Sequence, residues 1–308
     1  MEKRRIGALH VSLVGLGCNN FGRRLDAAAT TAVVEAALEA GVTFFDTADV
    51  YGGTRSEELL GRALGPRRKD VLVATKFGLP IDDSRRGAKP AYVRAALEDS
   101  LRRLGTDYID LYQLHRPDPE TPIGDTLEAL DELVRAGKVR EIGISNASVA
   151  QIAEADAAVR PGAVRFVSLQ NEYSLLERRP ERDVFDEVRR RGLAFLPYFP
   201  LASGLLSGKY RRGEPPPAGT RLAGAAAGDR FLNDRNLQIV EALTAFAAAR
   251  GHTLLELAFS WLVAQPAVMS VIAGATRPEQ VRANVAAARW RLSASDLEAV
   301  DSLAPLSA

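Results

Sequence analysis

The chain has 308 residues, a single cysteine and a net charge of +1. One cysteine excludes an intramolecular disulfide and suits a reducing compartment. A near-neutral charge, with basic and acidic residues interspersed, gives no footing for nucleic acid or a membrane surface as partner. The opening MEKRRIGALHVSLVG lacks the apolar run of a secretory leader, and no stretch is apolar enough to span a bilayer, so the expected location is the cytoplasm.

Residues 4–12, RRIGALHVS, predict a small hairpin. Eight short apolar runs follow: Leu13–Gly17, Thr43–Thr47, Val71–Lys76, Ile109–His115, Glu141–Ser145, Phe166–Gln170, Ala194–Tyr198 and Ser270–Gly274. Between them, segments such as TAVVEAALEAG, SEELLGRALG, AYVRAALEDSLRRLG and TLEALDELVRAGK space their apolar residues as helices do. Gly41, Gly65, Gly105 and Gly137 stand where helix C-termini take glycine. Apolar strands alternating with helices imply a parallel sheet. Eight units favour closure into a (β/α)8 TIM barrel, with an open doubly wound sheet as the alternative. Residues 203–235, rich in Gly, Ala, Pro and Arg, predict a long loop after the seventh strand. A barrel accommodates the whole chain, 1–308, as one domain.

Four polar residues stand out by position. Asp46 ends the second strand, Lys76 the third and His115 the fourth, and Tyr51 follows Asp46 in its loop. In a parallel barrel the C-terminal strand ends meet on one face, so the four converge on one mouth. A buried lysine keeps its charge only when paired, and Asp46 is the available partner. Each residue also has an ordinary reading: a turn cap, a packing tyrosine, a lysine reaching solvent, a structural histidine. Their coincidence on adjacent junctions is what those separate readings leave unexplained.

The stretches FFDTADVYG, VATKFG and LYQLHRPD are followed in order by IGISN, SLQNEY, LPYFPLASGLLSGKY and VIAGATRPEQVRANVAA. Together they resemble the aldo-keto reductase family, from the opening RRIG to the C-terminal helix. The resemblance implies a metal-independent oxidoreductase that uses NADP(H) to reduce aldehydes or ketones reversibly, a small-molecule carbonyl or alcohol as partner, and a monomer. It makes Tyr51 the acid, Lys76 the cation that lowers its pKa from ~10, Asp46 the holder of Lys76, and His115 the residue that orients the carbonyl or assists proton transfer. It also implies cofactor contacts at Asp46, at the carboxamide pair Ser145 and Asn146 with Gln170 beside them, and at Tyr198 stacked on the nicotinamide. Pro200, Leu201, Ser203 and Lys209 fall to the pyrophosphate, with Arg221 as a further clamp. Gly274, Thr276, Arg277, Gln280 and Asn284 fall to the adenosine and its 2′-phosphate. Ala273 and Ala283 depart from the family pattern. Relatives such as potassium-channel β-subunits supply the alternative of an NADP-binding barrel kept as a sensor or regulatory subunit.

Other motifs fail. Gly15 and Gly17 do not extend to GxGxxG, no YxxxK pair exists, and SGLLSGKY is one residue short of a P-loop. One cysteine and three histidines offer no metal-ligand spacing. Cys18 reads as a wall residue of the mouth. Asn19, Asn20, Phe21, Val50, Phe77, Arg116, Phe231 and Leu232 are the candidate substrate pocket. Arg116 reads two ways, as a site for anionic groups or as a partner of Asp118.

Overall fold

The computed structural model describes residues 1–223 and 230–306; residues 224–229 of the predicted 203–235 loop lie outside them. Strands β1 (Lys3–Ile6) and β2 (Leu9–Ser12) form the antiparallel hairpin. Then come β3 (Val14–Gly17), β4 (Phe44–Asp46), β5 (Leu72–Phe77), β6 (Ile109–Leu114), β7 (Val139–Ser145), β8 (Ser168–Glu172), β9 (Ala194–Tyr198) and β10 (Val271–Gly274). These eight pair in parallel in the order β10-β3-β4-β5-β6-β7-β8-β9. The two ends meet where the Phe195 N–H donates to Ala267 O at 2.9 Å and Phe195 O accepts from the Met269 N–H at 3.0 Å. The sheet therefore closes as a barrel, and the open doubly wound alternative is excluded.

Helices α1 (Ala27–Glu39), α2 (Arg55–Leu64), α3 (Pro90–Leu104), α4 (Ile123–Arg135), α5 (Val149–Ala157), α6 (Val184–Arg191), α7 (Asp234–Ala248), α8 (Leu254–Ala264), α9 (Pro278–Ala287) and α10 (Ala294–Leu303) accompany the strands. Side chains set their starts: Asp26 accepts from the Ala29 N–H, and Ser148–Gln151, Thr253–Glu256 and Ser293–Asp296 form reciprocal caps. All four glycines read as stops adopt positive φ. Among the described residues no helix is long and apolar enough to cross a membrane.

The two-residue period of the strands sorts the barrel interior into layers. Phe44, Ala74, Leu111, Ala194, Leu196 and Ile272 pack inside with Ile6, Leu9 and Val11 of the hairpin, which floors the barrel at its N-terminal end. Two residues further along the same strands, the interior position belongs to Asp46, Lys76, Gln113 and Tyr198. Register aligns them, with Lys76 opposite Gln113 and Ser145 opposite Gln170. An apolar floor thus carries a polar layer at the C-terminal mouth.

Candidate active site

Lys76 is wholly buried, and its ammonium donates to Asp46 Oδ2 at 2.6 Å and to the Thr47 carbonyl at 2.9 Å. The other Asp46 oxygen accepts from Gln113 Nε2 at 3.2 Å and from Gln170 Nε2 at 3.1 Å. Gly143, on β7 beside Gln113, leaves the room this needs, because a Cβ there would press on the Gln113 side chain and Ser168 Oγ. Burial works against the Lys76 charge, but Asp46 and Tyr51 outweigh it and hold its pKa above the ordinary value. Lys76 is therefore charged at neutral pH.

Tyr51 lies in the β4–α2 loop, which is tied to β5 by the Thr47 N–H to Ala74 O at 2.8 Å and the Asp49 N–H to Lys76 O at 3.0 Å. Gly52 follows with φ of 60°, and a Cβ there would strike the Phe21 carbonyl, so the turn that presents Tyr51 requires glycine. The Lys76 ammonium sits 5.1 Å from the centre of the Tyr51 ring, and His115 meets that ring edge-on at 5.7 Å. Burial pushes the Tyr51 hydroxyl above its ordinary pKa. Lys76 pulls it back by charge and hydrogen bonding, and Asp46 adds to the rise. The sequence-based expectation of a lowered value is corrected in this respect: Lys76 lowers it, and desolvation exceeds that effect. Burial, then the charges of Lys76 and Arg116, depress His115 to about 3, so its imidazole is neutral.

A cleft of about 790 Å³ opens over this layer. Asp46, Tyr51, His115, Ser145, Asn146, Gln170, Tyr198, Pro200, Leu201, Ser203, Lys209, Arg221, Gly274, Thr276, Arg277, Gln280 and Asn284 all line it. Of the residues expected for catalysis and cofactor binding, Lys76 alone stands behind the wall. Ser145 Oγ donates to Gln170 O at 2.8 Å, Asn146 Nδ2 to His115 O at 2.9 Å, and Tyr198 Oη to Asn146 Oδ1 at 2.7 Å, so these side chains hold one another in place. Gln170 lies beside Ser145 in the register and gives its side-chain amide to Asp46. Gln280 accepts from the Thr276 N–H at 2.7 Å at the start of α9.

The pocket expectation needs correction. Asn19, Asn20 and Arg116 line the cleft, as does Cys18 from a buried position. Phe21 and Phe77 are buried in the barrel–helix layer, and Val50, Phe231 and Leu232 do not face the cleft. Phe77 follows Lys76 by one residue, so strand alternation turns it outward against Tyr112 at 4.7 Å. Gln113 and Arg24 were missed. Gln113 lies two residues from Leu111 on the inner face, a signal that the strand period carried; Arg24 sits in a loop whose direction no period records. Among the described residues no three His, Cys, Asp or Glu side chains gather as a metal site.

Besides Arg116, four cations, Arg24, Lys209, Arg221 and Arg277, line the cleft, and none lies in an ion pair with a carboxylate among the described residues. Arg221 is held by Asn20 Oδ1 at 3.0 Å. Burial and the charges of Arg24, Arg221 and Arg277 lower the Lys209 pKa. The backbone around them is left-handed at Phe199, Ala202, Ser203 and Gly204.

Behind the Tyr51 loop, Asp49 is buried with Oδ1 unpartnered and Oδ2 3.4 Å from Tyr92 Oη. Burial, with Glu57 adding and Arg103 opposing, raises its carboxyl to about 7. Glu57 itself is engaged by Thr75 at 2.5 Å and Arg103 at 2.7 Å. A raised folded-state pKa means that the folded chain holds this proton between roughly pH 4 and the folded value, so this contribution to stability is lost as pH rises through that window. Asp49→Asn is neutral throughout and is expected to gain stability relative to wild type between about pH 5 and about pH 8. Urea midpoints of both proteins at the two pH values test this; a constant difference contradicts it.

A parallel barrel that brings an ion pair, a tyrosine and a histidine together under a cleft at its C-terminal mouth defines a class of barrel proteins with the site on that face. The sequence profile described as the Aldo/keto reductase family matches residues 13–305, and the chain belongs to that family of oxidoreductases. It is 34% identical to the "Uncharacterized oxidoreductase YqkF" of Bacillus subtilis (strain 168), over 98% of this chain and 96% of that protein. It is 36% identical to the "Probable voltage-gated potassium channel subunit beta" of Oryza sativa subsp. japonica, over 93% of this chain and 91% of that protein. With the "Uncharacterized oxidoreductase YrpG" of Bacillus subtilis (strain 168) the identity is 35%, over 99% of this chain and 96% of that protein.

Proposed function

We propose that the protein is an NADPH-dependent reductase of aldehydes or ketones, reversible toward alcohol oxidation. The observation that carries this reading is the buried Lys76, bonded to Asp46 at 2.6 Å and set 5.1 Å from the Tyr51 ring with His115 beside it. The cleft fits the cofactor: an aromatic wall at Tyr198, polar side chains at Ser145 and Asn146, and four cations suited to pyrophosphate and a 2′-phosphate. When bound, NADPH supplies a hydride to the carbonyl carbon. Tyr51 then delivers its phenolic proton to the carbonyl oxygen as negative charge develops there. Lys76, fixed by Asp46, stabilises the tyrosinate that remains. His115, neutral, donates a hydrogen bond that orients the carbonyl. In the oxidation direction the tyrosinate takes the alcohol proton. The reading extends to a cytoplasmic monomer, with 1–308 as one domain. Isolated protein given NADPH and a reactive aldehyde tests it, by loss of reduced-cofactor absorbance.

A second reading, an NADP-binding barrel serving as a sensor or regulatory subunit, draws on the name of the rice relative. It predicts cofactor binding without steady turnover of any aldehyde.

The choice of NADPH rests on Arg277. It stands at the N-terminal boundary of α9, whose first residue is Pro278, without a side-chain capping bond, and lines the cleft with Gln280 and Asn284. A helix N-terminus and a guanidinium together favour a phosphate there. Arg277→Ala is expected to weaken NADPH binding by roughly 1.5–3 kcal/mol, the scale of hydrogen bonds to charged groups, and to leave NADH nearly unaffected. Dissociation constants from quenching of protein fluorescence measure both. Equal losses would make Arg277 a structural cap, and a wild-type preference for NADH would remove the NADP assignment.

A further inference from the structure

Arg116 is the residue after His115 and lines the same cleft, exposed. The sequence offered it Asp118 as a partner, and the structure does not make that pair. Asp118 Oδ2 instead accepts from the Ala88 N–H and Thr121 Oγ1, both at 2.8 Å, and Oδ1 from the Glu120 N–H at 3.0 Å. Other carboxylates of the mouth are claimed as well: Asp46 by Lys76, and Glu172 by Arg230 at 2.6 Å. Among the described residues Arg116 makes no ion pair and no side-chain hydrogen bond.

Its place also separates it from the other cations. In the strand order β6 lies four places from β10, which in a closed ring of eight is the opposite side. Arg277 follows β10, and Arg221 reaches Asn20 beyond β3, next to β10. Arg116 thus stands across the mouth from them, on the strand end that carries His115. A guanidinium left unpaired at such a place is a fork for a planar or tetrahedral oxyanion.

We propose that Arg116 selects carbonyl substrates bearing an oxyanion, a carboxylate or a phosphate, a short chain away from the reacting carbonyl. This rests on the reductase reading above. In that reading the His115 imidazole meets the carbonyl, and Arg116, which lines the cleft beside it, stands where another part of the same substrate would lie. The four opposite cations serve the cofactor, and Arg116 serves the substrate.

Matched pairs of aldehydes test it: 4-carboxybenzaldehyde against its methyl ester, and glyceraldehyde 3-phosphate against glyceraldehyde. Wild type is expected to favour the charged member of at least one pair by about tenfold in kcat/KM, chiefly through KM, as a charge-assisted bond would give. Which pair responds identifies the oxyanion. In Arg116→Gln that ratio is expected to fall toward one, and in Arg116→Glu below one. A wild-type ratio near one in both pairs overturns the inference while leaving the reductase reading intact. So does a ratio that Arg116→Gln leaves unchanged. Turnover of no aldehyde at all overturns the reductase reading, and this inference with it.

Discussion

Replacing Tyr51 with phenylalanine is expected to lower turnover about 100-fold or more, the scale of acid–base catalysis, with NADPH affinity nearly unchanged. The substitution removes one hydroxyl and almost no volume, so the ring contact with His115 survives. No neighbour can replace the proton. His115 is depressed to about 3 and holds no acid proton at neutral pH. Lys76 is spoken for by Asp46 and the Thr47 carbonyl, and Cys18 is buried with its thiol pushed well above its ordinary value. Hydride transfer should be measured in a single turnover, where chemistry and not product release limits the rate. A variant that keeps near wild-type rates there would take the acid role from Tyr51. The sensor reading, by contrast, predicts a wild type already as slow as the variant.

The barrel was readable because its strands are buried on both faces and so stand out as continuous apolar runs. All eight runs fall on barrel strands, Ala194–Tyr198 at both ends and the others with an end shifted by one or two residues; the first and last residues of a strand depend on ladder bonds, not on side-chain pattern. Asp46, Lys76 and His115 were readable as polar residues ending such runs. What they do to one another was only partly so. Pairing of Lys76 with Asp46 follows from charge, but the two amides from Gln113 and Gln170 on the other Asp46 oxygen depend on register between strands distant in sequence. The net effect on Tyr51 depends on how much water burial removes, which sequence does not record. Positive φ at Phe199, Ala202 and Ser203 was equally hidden, since non-glycine residues rarely take that conformation and nothing in their side chains announces it. The substrate pocket was the least readable part: a one-residue step along β5 separates buried Lys76 beneath the cleft from Phe77 outside the barrel.

Lys76→Met is expected to abolish turnover and to destabilise the fold. The two effects can be separated. Wild-type Lys76 opposes the rise that burial imposes on the Tyr51 hydroxyl, so in the variant that hydroxyl rises further. A tyrosinate base then forms only at higher pH, and the basic limb of the alcohol-oxidation profile is expected to move upward or vanish. An unchanged limb would take Lys76 out of the mechanism. The stability loss has a different source. Asp46 is 5% exposed and would keep only the Gln113 and Gln170 amides, leaving a buried carboxylate without its cation. Breaking one half of a buried ion pair costs about 3–5 kcal/mol, whereas replacing both halves with neutral groups costs far less. The double variant Asp46→Asn, Lys76→Met is therefore expected to recover most of the lost stability, read as the urea midpoint, and none of the lost turnover. Recovery of both would mean that the pair acts by holding the barrel mouth in shape; recovery of neither would mean that the methionine itself, not the stranded charge, disrupts the layer.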